Sequence, residues 1–72
     1  MPPKLPVISG KEAIRRLEKL GFTAVRQKGS HVVMRKGSHG CVVPNHKSLK
    51  PGTLSGVLKQ AGVTIDEFVQ VK

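Results

Sequence analysis

The chain has no tryptophan, no tyrosine and only two phenylalanines. Phe22 and Phe68 both fall in apolar patterns and read as core, so the aromatic platform on which RRM and OB modules stack bases has nothing to be built from. A single cysteine, Cys41, excludes an intramolecular disulfide framework and leaves at most one thiol ligand for a metal. Such usage suits a reducing cytosol. The N-terminal MPPKLPVISG lacks the apolar h-region of a secretory signal, and no apolar run approaches the roughly 18 residues of a membrane span. A soluble, cytoplasmic protein with no membrane partner is the expectation. Acids are the most informative scarcity: Glu12, Glu18, Asp66 and Glu67 are all there are, and residues 19–65 contain none. Two-metal nuclease chemistry and glycosidase chemistry both need carboxylates, and the middle of the chain supplies none.

Against those 4 acids stand 13 lysines and arginines, giving a net charge of +9 and an isoelectric point near 10.5. The acid-free middle holds Lys19, Arg26, Lys28, Arg35, Lys36, Lys47, Lys50 and Lys59 together with all three histidines. A polyanion is the expected partner, and nucleic acid fits better than an anionic membrane because no strongly amphipathic basic helix is present.

At 72 residues the chain is one small domain in which core and function must share the same few elements. Ser9-Gly-Lys-Glu12 has the form of a capping box and predicts a helix, with Ile8 stapling onto Ala13. Ala13, Ile14, Leu17 and Leu20 form its apolar stripe and Gly21 its stop. Three valine-rich stretches follow, 22–27, 31–35 and 40–44, joined by short glycine-containing links that suit hairpins. In the middle strand, period two sets Val32 and Met34 on one face and His31, Val33 and Arg35 on the other. Pro51 opens a second helix with Leu54, Val57, Leu58 and Ala61 inward and Gly62 as its stop. Thr64-Ile-Asp-Glu67 repeats the capping-box form and predicts a short last helix carrying Ile65, Phe68 and Val69 inward. The expected class is α+β, a three-stranded antiparallel sheet with both helices on one face and a short C-terminal helix. Residues 1–8 read as a Pro-rich arm and 9–72 as the domain.

One stretch stands apart: Lys28-Gly-Ser-His-Val-Val-Met-Arg-Lys-Gly-Ser-His39 contains Gly-Ser-His twice, eight residues apart. His31, His39, Cys41 and His46 would suffice as zinc ligands in number, but none has the paired spacing of a zinc site, so no metal and no other cofactor is expected. Gly37-Ser-His-Gly40 matches the GXXG of KH domains, yet it joins two strands where KH domains need two helices, and it reads as a hairpin turn. A histidine in an acid-free cationic setting remains, the minimum for metal-independent RNA cleavage. Imidazole titrates near neutrality and can take the proton of a 2′-hydroxyl, while lysine or arginine stabilises the charge of the transition state. Gly29 and Ser30 would admit and position a phosphate, and Lys28, Arg35 and Lys36 are candidate clamps by proximity.

Gly29-Ser-His-Val-Val-Met34, Val43-Pro-Asn-His46 and Leu49-Lys-Pro-Gly-Thr-Leu-Ser-Gly-Val-Leu-Lys-Gln-Ala-Gly62, followed by Asp66-Glu-Phe68, together resemble the HicA (YcfA-like) toxins. The ordered set spans about Ser9 to Val69. The resemblance implies a fold similar to the double-stranded-RNA-binding domain, in agreement with the order of elements already read from the pattern. It also implies a ribosome-independent mRNA interferase of a type II toxin-antitoxin operon, with His31 catalytic, a HicB-type antitoxin as partner, and a role in bacterial stress. It gives His39 no part. His46 matches the family's Pro-x-His and either serves the site or caps the loop before the second helix. A non-catalytic RNA- or DNA-binding module of the same fold is the alternative, since fold alone does not establish activity. A protein-interaction domain whose basic surface meets an acidic partner is the third reading.

Overall fold

Ser9 Oγ accepts the Glu12 backbone N–H at 3.0 Å, and the first helix, α1, begins directly after it at Gly10 and runs to Lys19. The computed structural model describes residues 5–71. After α1 come strands β1 (Thr23–Lys28), β2 (His31–Lys36) and β3 (His39–Pro44), then helices α2 (Pro51–Ala61) and α3 (Ile65–Val69). The expected α-β-β-β-α order with a short final helix is the observed one. Of the expected N-terminal arm, residues 1–4 lie outside the described residues, whereas Leu5 and Ile8 pack half-buried against the core.

The strands form one antiparallel sheet in the order β1-β2-β3. Both long helices lie on the face that carries Val32, Met34, Cys41 and Val43, all buried. Ala13 and Leu17 of α1, the four expected residues of α2, and Phe22, Leu49 and Phe68 complete the core. Cover is uneven: α2 packs on β3, while every residue of β1 is exposed. A bulge between Ala24 and Arg26 further sets β1 apart, as bulges do at sheet edges.

Two expected local contacts differ. Only half of the first capping box forms, because the Glu12 carboxylate turns outward to Arg15 and Arg16 rather than back to the Ser9 N–H. Charge-assisted bonds to two guanidiniums are roughly twice as strong as one to a neutral amide, so the acid follows the arginines. The Thr64 capping box forms in full. Ile8, expected over Ala13, instead makes an isolated bridge to Leu49, whose N–H donates to the Ile8 carbonyl at 2.7 Å. Arg16 also ties the last helix down: its guanidinium lies 5.4 Å from the Phe68 ring centroid and Nη1 donates to the Phe68 carbonyl.

Among the glycines, the backbone approach that leaves least room lies at the start of α1. A Cβ on Gly10 would stand 2.2 Å from the Pro44 carbonyl oxygen and 2.7 Å from Asn45 Cα, both backbone atoms that cannot swing aside. Gly10→Ala should therefore destabilise the fold by about 1–3 kcal/mol, the usual range for overpacking, read by urea denaturation. An unchanged midpoint would show that the loop has slack. Acid stability gives a second test. Hydrogen bonds from Arg15 and then Arg16 hold Glu12 down to about 2 from an ordinary 4.5. A lowered folded-state value means stability that is present above about 4.5 and lost as pH falls towards 2. Glu12→Gln should therefore lower stability at neutral pH and flatten its decline across that window.

Candidate functional site

Both Gly-Ser-His tripeptides build the same local structure. Lys28 pairs with His31 across Gly29-Ser30, and Lys36 pairs with His39 across Gly37-Ser38. Gly29 and Gly37 have φ of 60° and 58°, and among the described residues no non-glycine residue has positive φ. Glycine first, with left-handed backbone only there, is the type II′ arrangement that matches strand twist. His39 thus opens β3 just as His31 opens β2, a difference from the expectation that it belongs to the turn. What separates the two histidines is the face. Alternation along β2 puts His31 with Val33 and Arg35 on the outer face and Lys36, with His39 opposite it, on the helix side.

The outer face gathers most of the predicted residues. Arg26, Lys28, Gly29, His31, Val33 and Val42 line one shallow depression of about 530 Å³. Arg35 stands further along β2 in an adjoining depression that also includes Arg26, Val33 and Val42. Among the described residues no carboxylate is on this face, since Glu12 and Glu18 lie on α1 and Asp66 and Glu67 on α3. The Ser30 carbonyl accepts from Asn45 N–H at 2.6 Å, which holds the first turn to the loop after β3. His46, exposed in that loop, is fixed through its backbone: its carbonyl accepts from Gly10 N–H at 2.8 Å. Its side chain does not line the His31 depression.

Lys36 is the residue the structure sets apart. Its Nζ donates to the Leu20 carbonyl at 2.8 Å and lies 6.0 Å from the Phe22 ring centroid, so it neutralises the carbonyl end of α1 on the helix side. His39 rests against Gly62 beside it. Two further residues shape the site, one on the outer face and one at the first turn. Arg26 was counted among the cations but not assigned to the site; its pairing with Val33 across the bulge brings it to the outer face. Gln27 pins the first turn by donating to the Gly29 carbonyl at 3.1 Å. Period two counted back from Lys28 reaches Arg26, whereas counted forward from Phe22 and Ala24 it would place Arg26 with the core, because the bulge shifts the register between Ala24 and Arg26.

Cys41 is buried on the helix side and burial pushes its thiol upward, which removes it as a nucleophile at neutral pH. Among the described residues no group of three or more His, Cys, Asp and Glu side chains is placed to hold a metal ion. No helix among them is long and apolar enough to cross a membrane.

Comparison with known families gives a match over residues 10–63 to the model described as "HicA toxin of bacterial toxin-antitoxin". The chain belongs to the HicA toxin family. A search of curated proteins found no match. The family match takes in α1, the whole sheet and α2, and stops before α3. As a HicA toxin the protein works within a toxin-antitoxin system and has an antitoxin for its partner. Its outer face is cationic and, among the described residues, free of acids, the electrostatic complement of a polyanion. The test is the salt dependence of binding to single-stranded RNA. Arg26→Ala or Lys28→Ala should each reduce the slope of log K against log salt by about 0.7, and Lys36→Ala should leave it unchanged. Equal slopes in all three would mean that the outer face is not the binding surface.

Proposed function

We propose that this HicA toxin is a metal-independent, ribosome-independent endoribonuclease that cleaves mRNA with His31 as general base. The observation that carries the reading is the placing of His31: exposed at the start of the central strand, opposite Lys28, in one depression with Arg26 and with no carboxylate on the same face. Neutral His31 takes the proton of a 2′-hydroxyl, and the 2′ oxygen bonds to the adjacent phosphorus. The bond from phosphorus to the 5′ oxygen breaks, and that oxygen leaves as a hydroxyl with a proton from solvent. A 2′,3′-cyclic phosphate and a 5′-hydroxyl result. Lys28 and Arg26 stabilise the charge that builds on the phosphoryl oxygens, which is the larger share of such catalysis. Gly29, whose missing side chain leaves open space, lets the phosphate approach the turn. Ser30 and Arg35 extend the phosphate contacts, His46 stands at the loop end of the same region, and Lys36 has a structural task instead. The antitoxin is of HicB type and the site of action is the bacterial cytoplasm.

Cleavage of single-stranded RNA in excess chelator tests this directly. His31→Ala should slow cleavage by about 10²–10⁴, the contribution of one general base, and leave RNA binding in place. His39→Ala should remain within a few-fold of the parent. Loss of activity in both variants would assign a role to both tripeptides, and equal activity of His31→Ala and parent would remove His31 from the chemistry. An inert parent that still binds RNA would leave a non-catalytic RNA-binding module.

A further inference from the structure

The His31 depression does not end at the first turn. It shares Arg26, Val33 and Val42 with its neighbour, so the two form one trough that crosses the outer face from Gly29 to Gln60 on α2. Valines make its floor, with Val25 and Val42 54% and 38% exposed, and cations make its walls. A floor of aliphatic side chains can cover the faces of bases, but it gives no means of telling one base from another. Selection then falls to polar groups at fixed positions along the trough.

Gln60 is such a group. Its Oε1 accepts the Val42 backbone N–H at 3.2 Å. An N–H can be met only by the amide's oxygen, so this bond settles which way the amide faces and turns Nε2 away from β3. No hydrogen bond among the described residues engages that nitrogen. Capping an outward N–H of an edge strand explains the oxygen. It leaves two oriented amide hydrogens at the end of a cationic trough. Val42 is two residues from Pro44, the partner of His31, or about 7 Å along β3 at the usual rise of a strand, with His31 one strand inward and Gln60 beyond the outer edge. A base held at Gln60 would therefore belong to a nucleotide within a few steps of the phosphate held at His31.

We propose that Gln60 reads this base and selects keto bases over amino bases. Guanine and uracil present a carbonyl oxygen at the position where adenine and cytosine present an amino group, so a donor pairs with the first two and opposes the others. The inference rests on the endoribonuclease reading for the identity of the ligand, single-stranded RNA. Its own content is the base preference and the residue that sets it.

The full chain carrying His31→Ala, incubated with a pool of random single-stranded oligoribonucleotides and sequenced in the bound fraction, tests it without cleavage. One position should be enriched in guanine and uracil by about 3- to 10-fold, the worth of one hydrogen bond. Adding Gln60→Ala should bring that preference to within about two-fold. Adding Gln60→Glu keeps an oxygen for the Val42 N–H but replaces the donor with an acceptor, and the preference should move to adenine and cytosine. Thermal midpoints matching the parent would show that both variants fold. The same preference in all three proteins, or no preference in the first, overturns the assignment. Failure of the nuclease reading is seen separately, as no cleavage by protein with His31 intact while the base preference persists.

Discussion

The contact between Gly10 and the backbone of residues 44–46 is the joint on which the arrangement turns. Helix α1 can reach the sheet only because residue 10 has no side chain, and its N–H then bonds to the His46 carbonyl. The next residues back along that loop are Asn45, whose N–H holds the Ser30 carbonyl, and Pro44, the partner of His31. One close approach thus links the start of the first helix to the first hairpin turn through backbone alone. Side chains at positions 30, 31 and 46 are left unencumbered by that linkage. A site held by main-chain bonds can keep its geometry while its functional groups stay free to meet a ligand.

Single-sided cover of the sheet has an electrostatic consequence. Helices on one face bury the apolar half of each covered strand, and the short acidic inventory sits on α1 and α3 within that helical layer. There the acids cap helix starts and pair with arginines: Glu12 with Arg15 and Arg16, and Glu67 with the Thr64 N–H and hydroxyl. The opposite face keeps Arg26, Lys28 and Arg35 without any acid to neutralise them. Separation of charge by face follows from topology, since both acid clusters belong to helix termini and both helix termini belong to one layer. A chain with the same composition but acids in its strands would have no such face.

Much of this was legible because the signals were local. Capping residues, the apolar stripe of α1, Pro51 and the alternation Val32/Met34 each report on a few neighbouring residues, and the elements formed where those signals lay. Less legible were features that need a partner strand or a distant atom. Glu12 satisfied the capping-box pattern but met stronger partners one turn on. Lys36 was grouped with His31 by nearness in sequence, although alternation from Val32 and Met34 already places it on the helix side once β2 is extended by one residue. Arg26 is two residues from Lys28 and shares its face, but the bulge before it hides this from a count begun at Phe22; Gln60 required the hydrogen bond to Val42, which leaves no trace in residue types or spacing. Resemblance to the family identified the toxin but did not sort its cations by face.

The repeated tripeptide shows why recurrence of a motif is a poor guide to recurrence of a role. Each Gly-Ser pair makes the same turn, and each histidine takes the same place at the head of a strand. Six residues of β2 separate the turns, and six is even, so the residues at its two ends point to opposite faces. Lys28 and His31 therefore flank their turn on the open cationic face, while Lys36 and His39 flank theirs among the helix ends, where the lysine bonds to Leu20 and the imidazole packs on Gly62. A strand one residue longer or shorter would have brought both histidines to the same face. Parity of one strand, rather than anything in the tripeptide itself, decides which copy lies on the acid-free face and which one lies among the helix ends.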